Sequence, residues 1–192
     1  MGKLVGSVVI GLLCLQTATS DTSKPFVEPA TGITFPPTLG QWKWTRGQDR
    51  DYGPGWGVSI AYHYPGGMTA TIYIYNLGLK EIPTGTKSQV VKDAWAETKS
   101  EIEEAMKQRG DSARQLAEGE VYLGVAPDSL KALRVNFMIV YKNGYEERSD
   151  AYLTGYKNQL LKIRLSYPKD LKAERETVIK SLLSDLDTLL KK

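Results

Sequence analysis

Apolar and polar positions alternate with period two across residues 58–64. Val58, Ile60, Tyr62 and Tyr64 fall on one side, and Ser59, Ala61 and His63 on the other. That is the mark of a half-buried strand. Pro65, Gly66 and Gly67 interrupt it, and alternation resumes over 68–76, with Ala70, Ile72 and Ile74 set against Thr69, Thr71, Tyr73 and Tyr75. The pair predicts a β-hairpin. The glycine-rich stretch before it, with Trp56 at its centre, predicts a loop that delivers the chain into the first strand. The period then changes. Over 88–109, Val91, Trp95, Ile102 and Met106 recur at helical spacing, with Ala94 and Ala105 beside them and Lys92, Asp93, Lys99, Glu103 and Lys107 opposite. Gly110 follows as a C-cap, so this is an amphipathic surface helix.

Further strands are predicted at 119–125, 131–142, 145–156 and 160–168. A terminal helix runs from an Asp170 N-cap to about residue 190, with Leu171, Val178, Ile179, Leu182, Leu183, Leu186, Leu189 and Leu190 as its apolar stripe. The turn between 131–142 and 145–156 contains Asn143 and Gly144, and two loop lengths compete. A two-residue loop would set Phe137 opposite Asp150 and Ile139 opposite Arg148. A three-residue loop with Gly144 left-handed sets Leu133 opposite Leu153, Val135 opposite Ala151 and Phe137 opposite Ser149. A one-residue slip moves every side chain to the other face, so the apolar pattern selects the three-residue loop. The expected fold class is α+β: an antiparallel sheet of six to seven strands with a middle amphipathic helix and a C-terminal amphipathic helix.

The N-terminal segments behave differently. Lys3 followed by an apolar run over 4–15, then small residues Ala18 and Ser20 before Asp21, predicts a cleaved signal peptide over 1–20. The run is shorter than the roughly 20 residues a membrane span needs. Pro25, Pro29, Pro36 and Pro37 exclude a helix from 21–40 and predict an extended N-terminal arm that packs Phe26, Ile33 and Phe35 onto the body. Residues 41–192 are expected to form a single α+β domain, with Trp42 and Trp44 on one face of a short opening strand. Cys14 is the one cysteine of the chain and lies in the leader. The mature protein therefore has no disulfide and rests on its core, which suits a bacterial periplasm.

Composition adds little to that picture and removes much. The chain is 41% hydrophobic and 24% charged, with a net charge of +3 that is interspersed rather than clustered. No basic face suggests nucleic acid. With one histidine and no mature cysteine, the sequence implies no metal and no cofactor. His63 and Ser59 share a strand side but stand about 13 Å apart at roughly 3.3 Å per residue, too far for a nucleophile–base pair. Carboxylate pairs at Glu103/Glu104, Glu146/Glu147 and Asp185/Asp187 are read as solvated faces.

One constellation is more pointed. In the selected register Arg134, Arg148, Asp150 and Tyr152 share a sheet face, with Lys162 and Arg164 expected on the adjoining strand and His63, Tyr73 and Tyr75 on the first hairpin. Tyr and Arg are enriched at recognition surfaces, although cross-strand Arg–Asp and Tyr–Arg pairs also stabilise plain sheets. Candidate binding residues are thus Trp56, His63, Tyr73, Tyr75, Arg134, Arg148 and Tyr152; no catalytic residue is identified.

The aromatic-rich opening strands, the middle helix, and the ending Leu160–Pro168 followed by an amphipathic helix resemble small exported bacterial proteins and, more loosely, the PsbP-type α/β/α sandwich over residues 33–190. That resemblance implies a non-catalytic binding or assembly role. The expected function is a non-enzymatic periplasmic or secreted protein that binds a protein partner or an envelope component, with no transmembrane segment once the signal is cleaved. A cell-envelope hydrolase using carboxylates, or a carrier of an apolar ligand, is the alternative.

Overall fold

A computed structural model of the chain describes residues 24–45, 49–170 and 173–192, with side chains in the last segment described from residue 176. The leader over 1–20 and Leu171 lie outside them. In chain order the elements are β1 (Phe26–Val27), β2 (Thr34–Phe35), β3 (Thr38–Leu39), β4 (Trp42–Trp44), β5 (Arg50–Asp51), β6 (Val58–Tyr64), β7 (Met68–Tyr75), α1 (Gln89–Arg109), β8 (Ser112–Tyr122), β9 (Lys131–Val140), β10 (Glu146–Tyr156), β11 (Gln159–Pro168) and α2 (Ala173–Leu190). Ser88 caps α1, its Oγ accepting from the Val91 N–H at 3.3 Å. At the other end the Gly110 N–H reaches the Lys107 carbonyl at 3.1 Å and the Asp111 N–H reaches Met106 at 2.9 Å. These two bonds satisfy carbonyls the helix itself leaves open.

Among the described residues, nine strands form one antiparallel sheet in the order β3-β4-β6-β7-β11-β10-β9-β8, with β5 pairing β6 off that path. β1 and β2 form a separate two-stranded ladder. The sheet has more strands than the six to seven expected, because β3 and β5 are two residues long and too short to show an alternation. The predicted strand at 119–125 begins much earlier, at Ser112. β8 is an edge strand with mostly exposed side chains and a register shift between Gln115 and Ala117. Charged, irregular edges discourage pairing with other chains and carry no apolar period to read.

The β9–β10 hairpin takes the three-residue loop. The Tyr141 N–H bonds the Tyr145 carbonyl at 2.9 Å, and Gly144 closes the turn at φ 83°. Leu133 then faces Leu153, Val135 faces Ala151 and Phe137 faces Ser149, as the apolar pattern requires.

One helix covers each side of the sheet. Under α2, Val178, Ile179, Leu182, Leu183 and Leu186 pack on Ile60, Tyr62, Ile72, Leu161, Ile163 and Leu165. Ile33, Phe35, Leu39 and Trp42 join that cluster, so residues before β4 contribute to it. Phe35 is fully buried, and burial of one such side chain stabilises by about 1.5–3 kcal/mol. Trp42 Nε1 also donates to the Val178 carbonyl of α2 at 3.3 Å. Under α1, Val91, Ala94, Trp95 and Ile102 pack on Val135, Phe137, Ile139, Ala151, Leu153 and Leu160.

Asp187 corrects the reading of Asp185 and Asp187 as a solvated pair: it is 3% exposed and ties α2 to the loop before β9. Its Oδ1 accepts the Leu130 N–H at 2.8 Å, and its Oδ2 pairs with Lys191 at 2.7 Å. Burial works to raise its pKa, but bonds from Lys191, the Leu130 N–H and Ser129 outweigh burial and hold it below the ordinary range. A depressed carboxylate stabilises above its unfolded-state pKa, and that contribution disappears as pH falls through the folded-state value. Asp187→Asn is therefore expected to cost about 1.5–3 kcal/mol at neutral pH and to flatten the acid side of the stability curve. Urea midpoints collected from neutral to acid pH check this; parallel curves for both proteins would show that Asp187 is not the titrating contact.

Candidate functional site

Between α2 and the β9–β10–β11 face lies a pocket of about 530 Å³ with a polar floor. Alternate residues of β9 place Arg134 and Asn136 toward α2, β10 adds Arg148, Asp150 and Tyr152, and β11 adds Tyr167. Asp150 is the hub and is 1% exposed. Its Oδ1 accepts from Arg134 Nε at 3.1 Å, Arg134 Nη2 at 2.9 Å and Asn136 Nδ2 at 3.0 Å. Its Oδ2 accepts from the Tyr167 hydroxyl at 2.8 Å. Asn136 turns its carbonyl to Arg148 Nη1 at 2.9 Å, and the Arg134 guanidinium lies 5.8 Å from the centroid of Tyr152. Burial pushes the hydroxyls of Tyr152 and Tyr167 well above the ordinary tyrosine range, and the Asp150 charge adds to the shift. Both remain neutral at physiological pH.

The rim makes the pocket cationic. Lys169 and Lys180 stand with Glu176 at its edge, and Ile179, Leu183 and Val121 supply apolar walls. Arg134 is spent on Asp150, and Lys169 pairs with Glu146. Arg148 and Lys180 have no carboxylate partner among the described residues. The pocket therefore offers positive charge without a salt-bridged carboxylate next to the Tyr152 hydroxyl, a combination that suits an anion.

The opposite face carries a groove of about 320 Å³ along α1, lined by Tyr52, Trp56, Tyr73, Tyr75, Leu77, Glu97, Glu101 and Lys162 among others. Lys162 Nζ sits 5.2 Å from the Tyr73 ring centroid and 5.4 Å from that of Tyr75, with Glu101 Oε2 at 3.4 Å. Trp56 is held in place by a tight loop. The Gly55 carbonyl accepts from the Leu77 N–H at 2.7 Å, and the Tyr52 N–H bonds the Gly57 carbonyl at 2.9 Å. Gly57, at φ 68°, passes so close to β7 that a Cβ there would lie 1.8 Å from the Ile74 carbonyl oxygen. Only glycine fits.

The seven candidate residues do not share one surface. Arg134, Arg148 and Tyr152 line the α2 pocket. Trp56, Tyr73 and Tyr75 line the α1 groove. His63 lines neither: it pairs with Thr69 near the hairpin turn and contacts Thr45 Oγ1 at 2.9 Å through Nδ1. The expectation that Lys162 and Arg164 adjoin Arg134 and Asp150 is also corrected. Lys162 pairs across from Leu153 and Arg164 from Ala151, so both point to the α1 face. Arg164 donates to Ser149 Oγ at 3.1 Å there, while its buried Nε has no hydrogen-bond partner among the described residues. Asn136, Tyr167, Lys169, Glu176 and Lys180 were not singled out by the pattern. Asn136 had a signal, a polar residue in an apolar strand two positions from Arg134. Tyr167 reads as a core residue and is one, with only its hydroxyl in the pocket.

An antiparallel sheet with one helix on each face, opening on short aromatic strands, is a PsbP-like fold. The chain is similar to the solution structure of cyanobacterial PsbP (CyanoP) from Synechocystis sp. PCC 6803, at 14% identity and a TM-score of 0.53, over 96% of this chain and 98% of that one. The likeness is one of fold. No protein-family model matches the sequence, and no curated protein matches it.

Proposed function

We propose that the protein is an exported, non-enzymatic binding protein whose α2 pocket receives an anionic group, a carboxylate or phosphate, of a partner or envelope component. The observation that carries this is the pair of cations, Arg148 and Lys180, which make no salt bridge among the described residues, beside a buried hub whose own charge is consumed. Export rests on the leader pattern over 1–20. The PsbP-like fold agrees with the non-catalytic role that the resemblance implies. No helix among the described residues is long and apolar enough to cross a membrane. A hydrolase has less support, because Asp150 spends both oxygens on Arg134, Asn136 and Tyr167, and Glu147 accepts the Tyr141 hydroxyl at 2.7 Å. The charged floor also fits an apolar cargo poorly.

Titration of protein purified from the exported fraction with inorganic phosphate and with succinate, followed by amide chemical shifts, tests the site; the N-terminal residue of the same sample reports leader cleavage. The shifts should map to 134–152 and 176–183. Arg148→Ala should weaken binding about tenfold or more, the loss of one charge-assisted bond, with the fold intact. Unchanged affinity in Arg148→Ala, or shifts mapping elsewhere, would remove the pocket from consideration.

A further inference from the structure

We infer a second recognition site, independent of the anion pocket: the α1 groove takes a basic side chain, arginine before lysine, presented by a protein partner. Three observations meet there. Trp56 is 69% exposed, yet the loop carrying it is pinned by backbone bonds to Tyr52, Asn76 and Leu77 and by the close passage of Gly57 under Ile74. An exposed indole on a loop whose backbone is fixed in this way leaves only its side-chain rotamer to be ordered on binding, which lowers the cost of contact. The groove also already stabilises one cation, the Lys162 ammonium over Tyr73 and Tyr75 with Glu101 as its counter-ion. Its chemistry is therefore that of an aromatic site backed by carboxylate.

The third observation is charge. Glu97 and Glu101 face the groove and Lys162 neutralises one of them, leaving Glu97 without a cation among the described residues. A guanidinium stacked on the Trp56 face and bonded to Glu97 completes the set; Arg forms both contacts better than Lys because its planar fork stacks and bonds a carboxylate at once. The occupant is a protein segment rather than a free small cation. Tyr52 and Leu77, 46% and 40% exposed, extend the apolar surface beyond what a guanidinium alone covers. The two sites lie on opposite faces of the sheet, so one partner or two can be bound without competition.

The test uses the whole mature protein and a synthetic peptide, acetyl-Leu-Arg-Leu-amide, with a citrulline peptide as its neutral isostere and guanidinium chloride as the small-cation control. The Trp56 indole resonance reports occupancy, and in Trp56→Ala the amide shifts of Glu97 and Glu101, which line the same groove, report it instead. The arginine peptide should shift it saturably, about tenfold more tightly than the citrulline peptide, and more weakly at high salt. Glu97→Gln and Trp56→Ala, both at exposed positions, should each lower the affinity several-fold while the remaining spectrum is unchanged. Equal binding of the citrulline peptide would overturn the charge requirement. Guanidinium binding as tight as the peptide would overturn the protein occupant, and saturable binding that ignores both substitutions would overturn the site. Neither result bears on phosphate binding at Arg148, so the two sites stand or fall separately.

Discussion

Asp150→Ala is expected to destabilise the protein by roughly 2–4 kcal/mol, because the buried Asn136 amide and Tyr167 hydroxyl lose their acceptor at about 1–3 kcal/mol each, while Arg134, whose side chain is 39% exposed, regains water. The carboxylate is 1% exposed and accepts four contacts, from Arg134 Nε and Nη2, Asn136 Nδ2 and the Tyr167 hydroxyl. Alanine leaves these donors facing one another across a cavity and sets Arg134 beside Arg148 with no anion between them. Asn136 and Tyr167 are 6% and 9% exposed, so pocket water replaces the lost carboxylate only in part. Asp150→Asn keeps one acceptor oxygen and should fall between wild type and alanine. Urea unfolding at neutral pH measures the series. A cost below about 1 kcal/mol, the range of solvent-exposed ion pairs, would mean that the floor is solvated and that Asp150 does not organise it. A large cost would show that the anion site is built on a rigid base, with Asp150 holding Arg134, Asn136 and Tyr167 and Asn136 in turn orienting Arg148.

Gly57→Ala carries the second large effect, and its cause is backbone geometry. A φ of 68° costs a non-glycine residue about 1–3 kcal/mol by itself. The added Cβ would also lie 1.8 Å from the Ile74 carbonyl oxygen and 2.7 Å from the Tyr75 Cα, so the loop or β7 must shift. Gly53→Ala is the control: φ is 86° there, but nothing lies within 4 Å of the new Cβ. Gly53→Ala therefore isolates the conformational term, and the excess loss in Gly57→Ala reports the close approach. Thermal unfolding of the two variants measures that excess. Equal melting temperatures would show that β7 yields without strain. Because Trp56 is the adjacent residue, Gly57→Ala should also weaken binding of the arginine peptide while leaving phosphate binding at the α2 pocket unchanged.

Periodicity alone determined a good deal of this protein. The alternation over 58–64 and 68–75 appears as the β6–β7 hairpin, and the helical stripe from Val91 to Ile102, with Ser88 and Gly110 at its ends, appears as α1. The register of β9 against β10 was legible because a slip of one residue would have buried Arg148 against Ile139 and exposed Leu153. Arg134, Asp150 and Tyr152 could therefore be placed on one face before any tertiary contact was known. Other features have no local signature. β3 and β5 are shorter than one alternation, and β8 lies at an edge where one row of backbone groups needs no partner.

The larger gap concerns which strands are neighbours and what covers them. β7 pairs with β11, far along the chain, and that long-range contact sends Lys162 to Tyr73 and Tyr75 rather than to Arg134. Alternation says that two residues are on the same side of a strand. It cannot say whether that side meets a helix or solvent, because the answer depends on where α1 and α2 pack. For Asp150 this decides everything: read along the strand it is a polar residue on an outer face, and under α2 it is a buried charge that holds the floor of a pocket. The chemistry-bearing residues were thus visible in the sequence, but tertiary packing divided them between two faces, a polar pocket under one helix and an aromatic, acidic groove along the other.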